Sequence, residues 1–174
     1  MPSPFGRGHR YLGEFASAAD VNSFLSGLGV SADAGMIYFD TTIGEDFRWN
    51  GDVNRWVSTQ RYELGFGTRY RRRGGQYWFF MGDTATGGNV AAGIPVEECL
   101  LMGLMASKTT SDASTIEILR EGSVVHTENL PSGTGIHEAT FNYLLDVGRL
   151  AVRVQSGAAD VRNSHLRLFY RRLS

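Results

Sequence analysis

The chain has one cysteine, Cys99, in 174 residues. A single thiol excludes an intramolecular disulfide framework and a cysteine-based zinc site built from one chain. It reads as a small buried hydrophobe near the start of a strand. Lysine is equally scarce: sixteen arginines accompany one lysine, Lys108. A GC-rich coding bias explains that ratio as well as selection for bidentate contacts does. Long apolar runs are absent too. The opening MPSPFGRGHRYLGEF lacks the apolar stretch of a secretion signal, and nothing downstream approaches a membrane span. The expectation is synthesis in a cytoplasm, no export by that route and no membrane partner. A net charge of -1 exerts no global pull on nucleic acid. There is no P-loop, no G-x-S-x-G and no dinucleotide fingerprint, and SGTGIHE near Gly133 has no helix after it to receive a phosphate. No cofactor is implied, and the chain reads as a non-enzyme.

The chain does contain enough apolar residues, 42%, to bury a core of its own. Residues Met1 to Gly8 are rich in Pro, Gly and Ser, so an extended arm over 1–15 is expected, held in place by a partner protein. From Ser17, the residues Ala18, Val21, Phe24, Leu25 and Leu28 recur at helical spacing. Ser17 is placed to cap this helix, Asp20 sits on its positive end, and Gly27 and Gly29 stop it. Strand-like text follows as MIYFDTT, DFRWN and RWVSTQRYEL. Asn50 and Gly51 predict a two-residue type I′ hairpin turn, because both central positions need positive φ. The helix and this meander form a module over 16–59, with Ile37, Phe39, Phe47, Trp49 and Trp56 expected beneath the helix.

From residue 60 to 174 the pattern is strands and turns. QYWFF, CLLMGLMAS, TIEILR, SVVHTENL, HEATFNYLL, RLAVRVQSG and SHLRLFYRR are the strand candidates, with a turn at Glu121 and Gly122. Leu150, Val152 and Val154 fall on one face with Arg149, Arg153 and Gln155 off it, and Leu166, Leu168 and Tyr170 alternate against Arg167, Phe169 and Arg171. The fold class expected is therefore mainly β, a helix-plus-hairpin module followed by an antiparallel, jelly-roll-like sandwich. Twenty-two glycines against four prolines suit such a turn-rich chain. Phe169, Tyr143 and Tyr77 on outward faces are an apolar surplus that burial between subunits would absorb, so a homo-oligomer, a trimer in particular, is expected.

Several residues are candidates for chemistry or binding. Asp40, Glu45, Asp46 and Asp52 sit mostly at turns, where side-chain-to-backbone bonding is the usual task of Asp, so the solvated-turn reading outweighs an acid pair. Trp49 and Trp56 offer faces on which a sugar ring stacks, with Asp83 and Asn89 of the Gly-rich loop as further glycan contacts, although tryptophans in so small a meander ordinarily make its core. His9, His126, His137 and His165 lack metal-site spacing and read as surface or interface residues. In TRYRRRGG, Arg69, Arg71, Arg72 and Arg73 flank Tyr70. Four arginines give a small footprint for nucleic acid, so contact with an acidic protein surface or a neighbouring subunit is preferred.

The stretch RYLGEFASAADVNSFLSGLGVSADAGMIYFDTTIGEDFRWNGDVNRWVS, from Arg10 to Ser58, resembles a module of tailed-bacteriophage virion proteins, especially fibres. The segments QYWFF, GIPVEECLLMGLMAS, TIEILREGSVV and GRLAVRVQSG are similar in pattern to β-sandwich heads of phage fibres and capsid-surface proteins. The resemblance implies a non-enzymatic virion component, a trimeric short fibre or capsid decoration protein whose partners are other capsid or tail proteins. Phe5, Tyr11, Leu12 and Phe15 are then the candidate virion anchors, and the alternative is a module that recognises a host surface glycan.

Overall fold

A computed structural model describes residues 10–68, 73–80, 93–162 and 164–174. The chain forms two compact units. One ends at Arg61 and also takes in Arg171–Ser174, and the other is Tyr62–Tyr170. The sequence places the division at residue 59 and assigns the last four residues to the sandwich, whereas they belong to the first unit.

The first unit contains β1 (Arg10–Phe15), α1 (Ala18–Gly27), β2 (Met36–Asp40), β3 (Glu45–Asn50) and β4 (Arg55–Ser58). The helix is capped as its sequence predicts. Ser17 is extended, and its hydroxyl accepts from the Asp20 N–H at 3.3 Å. At the other end Gly29 takes φ +66°, with Gly29 N bonded to Ser26 O and Val30 N to Leu25 O, the paired bonds of a Schellman stop. The sheet order is β1-β2-β3-β4, with β1 parallel to β2 and the other pairs antiparallel.

Here the extended arm expected over 1–15 is corrected from Arg10 onward: those residues are a strand joined to β2 through the helix. A register shift between Tyr11 and Glu14, with Gly13 at φ +115°, lets Leu12 and Phe15 both reach the core at a spacing of three. Two details of the meander also differ from expectation. β2 buries Met36, Tyr38 and Asp40 rather than Ile37 and Phe39. The hairpin loop is four residues long, with Asn54 at φ 53° and the Asn50 side chain bonded to Asp52 N, so Asn50-Gly51 is not a type I′ turn. The core of this unit is Val21, Leu25, Met36, Tyr38, Phe47 and Trp56.

The second unit contains β5 (Tyr62–Thr68), β6 (Phe79–Phe80), β7 (Ile94–Val96), β8 (Cys99–Lys108), β9 (Ser114–Arg120), β10 (Ser123–Leu130), β11 (Gly135–Leu145), β12 (Gly148–Val154) and β13 (Ser164–Arg172), whose last two residues pass into the first unit. One sheet runs β10-β9-β12-β7 and the other β11-β8-β13-β5-β6. Without the short β6, these are two four-stranded sheets in the Greek-key order of a jelly roll, as the sequence predicts. The inner faces supply a common core that includes Phe66, Leu101, Leu104, Ile116, Ile118, Leu150, Val152, Leu166 and Leu168. A type I′-like turn does occur, at Glu121 and Gly122, with φ 47° and 80°. Gly103 is required where β8 meets β11: a Cβ there would lie 2.5 Å from the Ala139 carbonyl oxygen.

Candidate functional site

Trp49 and Trp56 face each other across β3 and β4. Trp56 is 1% exposed, stands edge-on to Tyr38 at 5.1 Å, and donates its indole N–H to Asn22 Oδ1 of α1 at 3.0 Å. It is therefore core and gives no platform to a sugar, which corrects its expected glycan contact. Trp49 is half-buried, 5.3 Å from Trp56 in an edge-on pair. It lines a groove of about 470 Å³ together with Asn22, Ser26, Val30 and Asn54. An aromatic wall beside amide and hydroxyl groups is the donor set that a sugar ring engages. Asp83 and Asn89 lie outside the described residues.

The carboxylates divide into two pairs. Asp46 and Asp52 are exposed, as expected of turn residues. Asp40 and Glu45 are 1% and 7% exposed, which overturns their reading as solvated. Asp40 Oδ1 does serve the turn, accepting from Thr42 N at 2.9 Å and Ile43 N at 3.0 Å. Its Oδ2 accepts from the Tyr38 hydroxyl at 3.3 Å and from Ser174 at 3.1 Å. Glu45 accepts from Ser58 Oγ at 2.7 Å and pairs with Arg172 at 3.1 Å. Their oxygens are engaged by protein donors, an arrangement that fixes the sheet and the last residues of the chain rather than moving protons. Burial pushes the Tyr38 phenol up to about 12, opposed by the Ser174 hydrogen bond and reinforced by the Asp40 charge.

The candidate anchors separate likewise. Phe5 lies outside the described residues. Tyr11 is 60% exposed and fits a contact role. Leu12 and Phe15 pack against the first unit's core, Phe15 with its ring 5.5 Å from Phe24 and 6.2 Å from Tyr38, so they are strand residues and not free anchors. Of the basic run, Arg69, Arg71 and Arg72 are outside the described residues; Arg73 is exposed, its N–H bonded to Gln76 Oε1. Tyr77, expected on an outward face, is partly buried beside Arg153, whose guanidinium is 6.0 Å from the ring centre and bonded to Glu117.

Sequence reasoning missed one polar cluster in the second unit. His126 and Glu128 on β10 meet His137 on β11, although these are edge strands of different sheets. Glu128 Oε2 is 3.0 Å from His126 Nε2, and its Oε1 is 2.9 Å from His137 Nε2. The His126 ring lies 4.0 Å from Phe141, centre to centre, and its Nδ1 is 3.4 Å from the Tyr143 hydroxyl. The alternate spacing of His126 and Glu128 is visible in the sequence, but its pairing with His137 depends on the crossover between sheets. Burial raises the Glu128 carboxyl, and the hydrogen bonds from His137 and His126 outweigh it and hold the group below the ordinary carboxylate value. A depressed carboxylate stabilises the fold above its unfolded value of 4.5, and that contribution disappears as pH falls through the lower folded value. Glu128→Gln is thus expected to cost about 1 kcal/mol at pH 7, with the deficit shrinking below pH 4.5. Urea midpoints measured from pH 7 to pH 3 check this; a deficit that stays constant across the range refutes it.

Among the described residues no helix is long and apolar enough to cross a membrane. No protein-family model and no curated protein matches the sequence. Among solved structures, a carbohydrate-binding module, CBM36 in complex with calcium and xylotriose, is similar at 11% identity and a TM-score of 0.35, covering 66% of this chain and 99% of that one.

Proposed function

We propose that the chain is a non-enzymatic structural protein of a bacteriophage virion, a short fibre or capsid decoration subunit that assembles as a homotrimer and presents its jelly roll outward. The observation that carries the reading is the β11 edge of the second unit, to whose outer side no strand is hydrogen-bonded among the described residues. β11 is an eleven-residue strand paired on one side to β8, and around it Ile136, Tyr143, Leu144 and Val147 are 70%, 39%, 47% and 68% exposed. A long unpaired edge with apolar side chains is normally covered, and a second subunit covers it without any further element. The phage-like pattern of the Arg10 to Ser58 segment supplies the virion setting. Because Leu12 and Phe15 pack against the core, the docking role falls to Phe5 and exposed Tyr11 among the candidate anchors. Deletion of residues 1–9 is expected to leave a folded trimer by light scattering and to abolish binding to phage particles. A truncated protein that still decorates particles would refute the anchor, and a monomeric mass for the intact chain would refute the assembly.

The groove beside Trp49 supports a second reading, recognition of a host surface glycan. Trp49→Ala is then expected to eliminate glycan-array signal while leaving the helix and sheet in place, since Trp49 borders the core rather than filling it.

A further inference from the structure

The one lysine of the chain is buried. Lys108 ends β8 and is 6% exposed, continuing the inward-facing series of Leu104 and Ala106. Its ammonium donates to the Asp112 carbonyl oxygen. Among the described residues no carboxylate lies within ion-pair distance of it, although the Asp112 charge is near enough to oppose the effect of burial, which lowers the lysine's pKa. A buried ammonium with a single carbonyl acceptor has donor capacity to spare, and the Asp112 charge offsets its burial only in part.

Beside it is a pocket of about 160 Å³, walled by Lys108, Ser107, Ser132, Thr134 and His137. Ser107 adjoins Lys108 on β8 and so faces the other side of the sheet, which leaves the Ser132 and Thr134 hydroxyls, neither of them with a protein partner among the described residues. His137 is held in place by Glu128 at 2.9 Å, so its ring is a fixed part of the wall. The loop between β10 and β11 is fastened at Gly133, which has φ +99° and whose N–H bonds to Ser111 O at 2.6 Å. The recess thus has one cation, the two loop hydroxyls and no acidic side chain in its wall.

We propose that this recess binds a small oxyanion, with Lys108 as its point charge and the Ser132 and Thr134 hydroxyls as its hydrogen-bond donors. At about 160 Å³ the space suits a carboxylate or phosphate group rather than an extended ligand. A lysine suits such a group as a point charge, without the bidentate geometry an arginine imposes. The group is supplied either by an inorganic ion or by an acidic sugar, and the two are separable by experiment.

The single lysine provides the readout. Reductive ¹³C-methylation labels Lys108 and the α-amino group, whose signals are distinguished by their titration. Phosphate, sulfate, glucuronate and glucose are titrated in turn while the Lys108 methyl signal and the thermal midpoint are followed. Phosphate or glucuronate is expected to shift the Lys108 signal saturably, to raise its pKa and to raise the midpoint, whereas glucose does neither. A tighter response to glucuronate identifies an acidic sugar as the source, and a tighter response to phosphate or sulfate identifies an inorganic ion. Lys108→Met is expected to weaken binding by at least about tenfold. Ser132→Ala/Thr134→Ala, at exposed positions that do not threaten folding, is expected to weaken it about threefold to tenfold with the midpoint of the free protein unchanged. Absence of a saturable shift with every anion overturns the proposal, as does equal binding by wild type and the folded double variant.

Discussion

Trp56→Ala is expected to destabilise the first unit by about 3–5 kcal/mol, the range for removing a buried large aromatic side chain. The indole is 1% exposed and is the hub of the small core, edge-on to Tyr38 at 5.1 Å and to Trp49 at 5.3 Å. Truncation removes these ring contacts, opens a cavity between α1 and the sheet, and takes the donor from Asn22 Oδ1. Trp56→Phe keeps most of the apolar volume and loses the N–H, so about 1–2 kcal/mol is expected from it. Far-UV circular dichroism in urea measures both losses. Hydrogen exchange should place the loss of protection for Trp56→Ala in α1 and β2–β4. A loss below about 1 kcal/mol for Trp56→Ala would show that the core does not depend on this ring. The comparison with Trp49→Ala also bears on function, because a glycan groove requires Trp49 to matter for binding while Trp56 matters for folding.

The jelly roll was legible in the sequence because its strands obey simple rules. Leu150, Val152 and Val154 are each 0% exposed, and so are Leu166 and Leu168, as the alternation predicts. The helix was legible from its cap and its glycine stop, local signals that need no knowledge of the rest of the fold. What failed was information of longer range. β1 is hidden because the irregularity at Gly13 changes a spacing of two into three, and its partner β2 lies beyond the helix. The phase of β2 is misjudged because hydrophobicity favours Ile37 and Phe39, whereas the buried face carries Tyr38 and Asp40, made tolerable by mutual hydrogen bonding and by Ser174, 134 residues beyond Asp40. The turn at Asn50-Gly51 had the right dipeptide, yet the four-residue loop puts the left-handed residue at Asn54. The His126–Glu128–His137 cluster and the Lys108 recess share this character: each joins β10 or β8 to the loop or strand at β11, and composition alone contains no record of that meeting.

The same long-range closure makes the end of the chain the second site of large effect. Deleting Arg171–Ser174 is expected to cost the first unit about 3–5 kcal/mol, comparable to breaking a buried ion pair from one side. Arg171 donates to the Ser58 and Thr59 carbonyls, both at 2.7 Å, although burial and repulsion from Arg48 and Arg61 lower its affinity for a proton. Arg172 neutralises Glu45 at 3.1 Å, Leu173 bridges to Val57, and Ser174 bonds both Asp40 and Tyr38. The deletion strips these donors from a Glu45 side chain that is 8% exposed and from the buried Asp40. Arg172→Met alone is expected to cost less, about 2 kcal/mol, because the arginine is itself 36% exposed and partly screened by solvent. If the cost lies in the carboxylate left behind, Glu45→Gln should restore about 1–2 kcal/mol in the deleted chain and lower stability in the intact one. Urea midpoints for the four combinations give that coupling directly. Additive effects would mean that the last residues act through packing at Val57 rather than through Glu45, and a deleted chain with the wild-type midpoint would mean that they do not brace the first unit at all.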